Sequence, residues 1–255
     1  MNMKVSIESG IAKVTLNHPP MNLLAEKVKE EIAQLFRRIA EDEKVRVILF
    51  FAQGDHFCCG ANLKEFPERI QNKKAREVWD RGHDMLSSIL NAPQPTIACI
   101  EGSALGGGAE LASAFDLRIF ESHAQVGYPE VARGVFPGNG GLERLISLVG
   151  ETHAMRLALT GKKISAEEAL RIGLASGVAA SGKGRRHCEE LANTLSHLPG
   201  TAVRTIKQAI RAYVKDPQSF GDKGKEMFYH VHETHDVREA VQAFLEKRKP
   251  VFTHL

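Results

Sequence analysis

Glu110 stands in the stretch ACIEGSALGGGAELASAFDLRIF and is the one charged residue between Gly102 and Phe115. A carboxylate set among small and apolar residues costs several kcal/mol to bury unpaired, or it takes up a proton instead. The glycines at 106–108 allow close backbone approach. At a helix start they leave N–H groups free at the positive end. Twenty residues on, GYPEVARGVFPGNGG carries Glu130 behind Pro129. A third glycine turn, FCCGANLKEF, offers N–H groups near Gly60 and Ala61. Two carboxylates and two main-chain donors form a set suited to chemistry beside a carbonyl. The donors hold an oxygen as it gains enolate charge, and the acids move protons or activate water. Taken singly, each glutamate also reads as a first-turn acid favoured by the helix dipole. Spacing alone does not bring the three stretches together.

The elements that must position these residues follow from periodicity. Val5, Ile7, Ile11, Val14 and Leu16 around Ser9-Gly10 predict a β-hairpin. Leu24, Val28, Ile32, Leu35 and Ile39 recur at helical spacing, with Glu26, Lys29, Glu30, Arg37 and Arg38 as the polar residues between them. The run 45–52 (VRVILFFA) predicts a buried strand, 73–90 a second helix, 96–100 another strand, and 117–120 a further one. From Gly141 helical signals dominate, with a capping box at Ser165–Glu168, a short strand within 174–179, and helices near 186–197, 201–214 and 235–248. Strands alternating with helices, followed by a helical tail, predict an α/β core and a helical C-terminal part. The expected division is 1–195 for the core with its site and 196–255 for the tail.

The 255 residues are 43% hydrophobic and 25% charged, with a net charge of +3, which is ordinary for a globular protein with a normal core. No dense basic block with interleaved aromatics points to nucleic acid. The basic stretch SGKGRRH at 181–187 reads as a solvated loop or a phosphate-friendly rim rather than an RNA site. No run is long and apolar enough for a membrane span, and the N-terminus lacks a signal-peptide pattern. A cytoplasmic location is the expectation. Four cysteines, Cys58, Cys59, Cys99 and Cys188, include no CxxC pair, so neither a zinc site nor a disulfide framework is expected. HVHETH at 230–235 faintly suggests a metal motif. On a helix, however, His230 and His232 would point about 200° apart, at roughly 100° per residue, and could not share an ion.

Four stretches in order carry a resemblance to the crotonase (enoyl-CoA hydratase/isomerase) superfamily. FCCGANLKEF is similar to its F-x-x-G-A-D-L-K-E segment. IEGSALGGGAELASAFDLRIF resembles G-x-A-x-G-G-G-x-E-L-A-x-x-x-D, and GYPEVARGVFPGNGG resembles P-E-x-x-x-G-x-x-P-G-x-G-G. VREAVQAFLEKRKPVF is similar to the closing E-x-x-x-A-F-x-E-K-R-x-P-x-F. The resemblance implies a crotonase-like spiral of ββα units with a C-terminal helical trimerisation region, as homotrimer or homohexamer. It implies an oxyanion hole from the N–H groups of Ala61 and Gly107, catalytic glutamates at Glu110 and Glu130, and a water-positioning N–H at Gly138. Lys64 and Lys247 fall at positions that reach coenzyme A. Glu110 would help activate the water, and Glu130 would handle the proton at the α-carbon.

Both glutamates together imply an enoyl-CoA hydratase acting on acyl-CoA thioesters, as in β-oxidation. Coenzyme A would be part of the substrate, with no metal and no other cofactor. An enoyl-CoA isomerase or another acyl-CoA member with a specialised substrate is the nearest alternative. A non-catalytic acyl-CoA- or RNA-binding relative is the second. The chain departs from the pattern at Asn62, where Asp is usual, and at Ala109, where Cys is common. Tyr128 stands before Pro129, where a phenol would shape the acyl pocket or reach the site. His232 stands where Phe is expected against the adenine.

Overall fold

The computed structural model describes residues 2–254. Strands β1 (Met3–Glu8) and β2 (Ile11–Leu16) form the hairpin, paired Met3 to Leu16 through Glu8 to Ile11. The turn residues Ser9 and Gly10 both lie at positive φ, as a two-residue hairpin turn requires. Helix α1 (Glu26–Ala40) leads to β3 (Val47–Ala52). The short α2 (Phe66–Gln71) and the longer α3 (Ala75–Leu90) precede β4 (Thr96–Ile100). Then come β5 (Ser103–Leu105), α4 (Gly107–Ala114), β6 (Leu117–Glu121) and β7 (Gln125–Gly127).

A 3₁₀ turn at Pro129–Arg133 is followed by α5 (Gly141–Thr160), which breaks at Gly150, and by β8 (Ile164–Ser165). Helix α6 (Ala166–Arg171) starts on Ser165, whose hydroxyl accepts from the Glu168 N–H, as the capping box predicts. Strand β9 (Gly177–Ala179) closes the core. Helices α7 (Gly184–Ser196), α8 (Gly200–Lys215), α9 (Phe220–His232) and α10 (His235–Leu245) follow.

The main sheet runs β1-β2-β3-β4-β6-β9 and is parallel beyond the β1–β2 pair. Both faces are covered, which is why β3 reads as unbroken apolar sequence. Val47, Leu49 and Phe51 join Ile97, Cys99 and Ile119 under α7, through Cys188 and Ala192. Ile48 and Phe50 face the larger core with Phe36, Phe57 and Phe115. There Phe50 and Phe115 lie 5.0 Å apart between ring centres. Asp116 ties α8 to this layer. It accepts from the Thr96 N–H and hydroxyl and pairs with Lys207 at 2.6 Å and Arg211 at 2.8 Å. Burial works to raise its pKa, but these partners together hold it below the ordinary value.

A second, three-stranded sheet, β5-β7-β8, was not foreseen from sequence. Its strands are two or three residues long and carry little periodicity. Helix α9 was also unforeseen: Gly221 and Gly224 weaken its helical signal. It exposes Phe228 and Tyr229, while His232 sits at its end with Nδ1 against the Phe228 carbonyl. Among the described residues no cluster of three or more metal-ligating side chains occurs, and all four cysteines are free. No helix among them is long and apolar enough to cross a membrane.

Candidate active site

In open parallel sheets the ends of the strands are where connecting segments meet, and here the small sheet organises them. Segment 58–61 lies alongside two other stretches of chain. Cys58 donates to the Ser103 carbonyl, Leu105 donates to the Cys58 carbonyl, and Leu24 donates to the Gly60 carbonyl. The chain around Gly60 is thereby held against the start of α4. Gly108 is required by this approach, since a Cβ there would fall 2.0 Å from the Cys58 carbonyl oxygen. At Gly106, φ is +55°, a left-handed conformation that favours glycine. Strand β5 pairs in parallel with β7, Leu105 opposite Gly127. The α4 start and the 129–133 turn therefore leave the small sheet side by side. That pairing is how Glu110 and Glu130 meet.

Both glutamates line one cleft of about 240 Å³, with Gly60, Ala61, Gly106, Gly107, Gly138 and Asn139. The site residues inferred at 61, 107, 110, 130 and 138 are thus brought together. Lys64 and Lys247 are solvent-exposed and lie outside the cleft lining. Tyr128 departs from expectation. It is fully buried in the core, its hydroxyl meets Ser113 Oγ at 3.0 Å, and it does not line the cleft. Burial pushes its phenol pKa upward, so it stays protonated.

The two carboxylates are seated differently. Glu110 is 1% exposed. Its Oε1 accepts from the backbone N–H groups of Asn139 and Gly141, each at 3.0 Å, and its Oε2 accepts from Asn139 Nδ2. Burial raises its pKa; these donors and the charge of Lys29 work against the rise without cancelling it. Glu130 lies against Gly106, and its Oε2 is buried without a hydrogen-bond partner. Burial first, then the charge of Glu110, lifts its pKa to about 7.

Among the cleft residues missed from sequence are Asn139, Arg69 and Lys29. Asn139 lies within PGNGG, where its amide reads as turn chemistry. Nothing in the sequence singles out Arg69. Lys29 was expected on the polar face of α1, but it is 2% exposed and lines the cleft. Its position falls in line with Ile32, Ala33 and Phe36 on the buried stripe, which the spacing alone could have flagged.

A parallel-sheet scaffold here brings backbone of the glycine turns and two carboxyl groups to one cleft, an arrangement suited to acid–base chemistry next to a carbonyl. Residues 6–254 match the enoyl-CoA hydratase/isomerase family, and the chain belongs to it. A probable enoyl-CoA hydratase of Bacillus subtilis is 33% identical, over 98% of either chain. A short-chain-enoyl-CoA hydratase of Clostridium acetobutylicum is 34% identical, over 97% of this chain and 96% of its own. The crystal structure of an enoyl-CoA hydratase from Bacillus anthracis superposes with a TM-score of 0.93 at 32% identity, over the whole of both chains. The fold is accordingly crotonase-like.

Proposed function

We propose that the protein hydrates 2-enoyl-CoA thioesters to 3-hydroxyacyl-CoA. The observation that carries this reading is the pair of unlike carboxyl groups on one cleft: Glu110 held by three donors, Glu130 with an open oxygen and a pKa of about 7. The N–H groups of Ala61 and Gly107 take the thioester oxygen. Each such donor contributes about 2.7–4 kcal/mol as that oxygen gains charge.

A carboxylate offers about four lone-pair positions, so Glu110 keeps one for the attacking water, which the Gly138 N–H helps hold. The water oxygen bonds the β-carbon, the π electrons move onto the thioester oxygen, and Glu110 takes the water's proton. Protonated Glu130 gives its proton to the α-carbon, and the carbonyl re-forms. Solvent in the cleft returns the proton from Glu110 to Glu130. This sequence moves only protons, and coenzyme A arrives with the substrate. Lys64 and Lys247 are assigned to its phosphates.

A second reading, migration of the double bond by a single base, is favoured by one observation: of the two cleft glutamates, Glu130 is the one with a buried oxygen left without a hydrogen-bond partner. Absorbance at the enoyl-thioester band separates the two. Hydration bleaches crotonyl-CoA, whereas isomerisation of a 3-enoyl-CoA creates the band. No bleaching by the protein with crotonyl-CoA or any other 2-enoyl-CoA, at any concentration, would remove the hydratase reading.

Subunit contacts are assigned to α8–α10, whose exposed Ile206, Ile210, Tyr213, Phe244 and Leu245 suit burial between chains. Light scattering that reports a monomer would remove this assignment. A cytoplasmic location belongs to the same proposal.

A further inference from the structure

Lys29 is the least expected residue of the cleft. It occupies the buried stripe of α1, where an apolar side chain would pack without electrostatic cost, and desolvation is severe for a lysine 2% exposed. Its Nζ lies 3.1 Å from Glu26 Oε1, and Arg69 Nη2 lies 2.7 Å from the same oxygen. Arg69 also pairs with Glu65. These contacts are imperfectly directed. Both Glu26 oxygens and Arg69 Nε are buried without a well-formed hydrogen bond, and the Arg69 side chain is only 10% exposed.

The two signs of charge are also unevenly placed. Lys29, Arg69 and Arg133 line the cleft, but Glu26 and Glu65 do not; those two border an adjoining depression that Arg69 shares. Apart from Glu110 and Glu130, the charges facing the substrate are therefore cationic. Beside them stand Leu63, Phe66 and Val78, with the Arg69 guanidinium 5.3 Å from the Phe66 ring centre. A hydrocarbon tail laid against this wall would bury Lys29 and Arg69 further and return no hydrogen bond. A carboxylate would accept from both, in the geometry that makes charge-assisted pairs strong.

We infer that the acyl group taken by this cleft carries a carboxylate, which Lys29 and Arg69 bind: the substrate class is a short 2-enoyl-CoA with an acidic far end. This rests on the enoyl-CoA reading above.

The test compares glutaconyl-CoA with pent-2-enoyl-CoA, its counterpart without the carboxylate, by kcat/KM. Binding of the saturated, unreactive pair glutaryl-CoA and pentanoyl-CoA is measured by calorimetry alongside. The wild type should favour the carboxylate in both assays by at least tenfold, about 1.4 kcal/mol. Lys29→Met, close in length and uncharged, should lower that ratio at least tenfold. Arg69→Gln carries the same comparison should Lys29→Met fail to fold, as judged by circular dichroism. Turnover of both substrates with no preference for the carboxylate overturns this inference and leaves hydration standing. Tight, selective binding of glutaryl-CoA with no turnover of either substrate supports the acyl site and removes hydration. Equal binding of the two saturated thioesters with no turnover overturns the acyl site as well.

Discussion

Glu110 and Glu130 face one cleft from two kinds of backbone. Glu110 sits in α4, where every residue is buried, and three donors from the 139–141 segment fix its carboxylate. Glu130 sits in a 3₁₀ turn that contains no buried residue, beside Gly134 in left-handed conformation, and one of its oxygens is left open. Identical side chains thus acquire different environments from their seats. Both oxygens of the first are held by donors, which leaves it little freedom to move. The other is free to exchange a proton near neutral pH, because its pKa is about 7. Nothing in the side chains themselves distinguishes them.

Removing either carboxylate tests this division most severely. Glu110→Gln and Glu130→Gln should each lower turnover on a 2-enoyl-CoA by roughly 10²–10⁴-fold, with circular dichroism unchanged. Near-normal rates in either variant would take that residue out of the mechanism. Next in size, Asn139→Ala removes one of the three donors to Glu110. A hydrogen bond to a charged group contributes about 1.5–3 kcal/mol, so the rate should drop roughly ten- to a hundredfold. Asn139→Asp should fall further, since it sets a second carboxylate against Glu110. Equal activity in Asn139→Ala would mean that the two backbone donors suffice.

A pH series on stability sharpens the contrast from the other side. The Glu130 carboxyl keeps its proton to about 7 in the folded protein, against an ordinary 4.5, so its ionisation disfavours the fold. Its contribution is fully present below about pH 4.5 and is lost as pH rises through 7. Glu130→Gln should therefore gain in Tm over the wild type at pH 8, with the gain fading towards pH 4. A pH-independent difference would contradict the assigned pKa. The smallest effect belongs to Tyr128→Phe. It removes a hydroxyl that meets Ser113 away from the cleft, at a cost of about 1 kcal/mol of stability. Turnover should be unchanged; a large fall would return Tyr128 to the active site.

Much of the architecture was legible because burial writes itself into the sequence. The all-apolar run in β3, the Ser9-Gly10 turn and the Ser165 cap each impose a local pattern. What stayed hidden is long-range. The short strands β5 and β7 have no periodicity to detect, yet their pairing aligns the two glutamates. Lys29 was taken for a surface residue because its charge outweighed its position on the stripe. Tyr128 was expected to shape the pocket or reach the site because it precedes Pro129, but it is buried in the core, where its hydroxyl meets Ser113. Residue type suggested the chemistry, and hydrogen bonds between remote segments decide who takes part.

The contact between Gly108 and the Cys58 carbonyl has a consequence for how the protein comes into being. The donors near 60 and at 107 belong to segments that interlock with no room for a methyl group. They line a common cleft only after those distant parts of the chain have closed on each other. Thioester affinity and the cooperative folded state should therefore vanish at the same denaturant concentration, leaving no loosened intermediate that still grips its ligand.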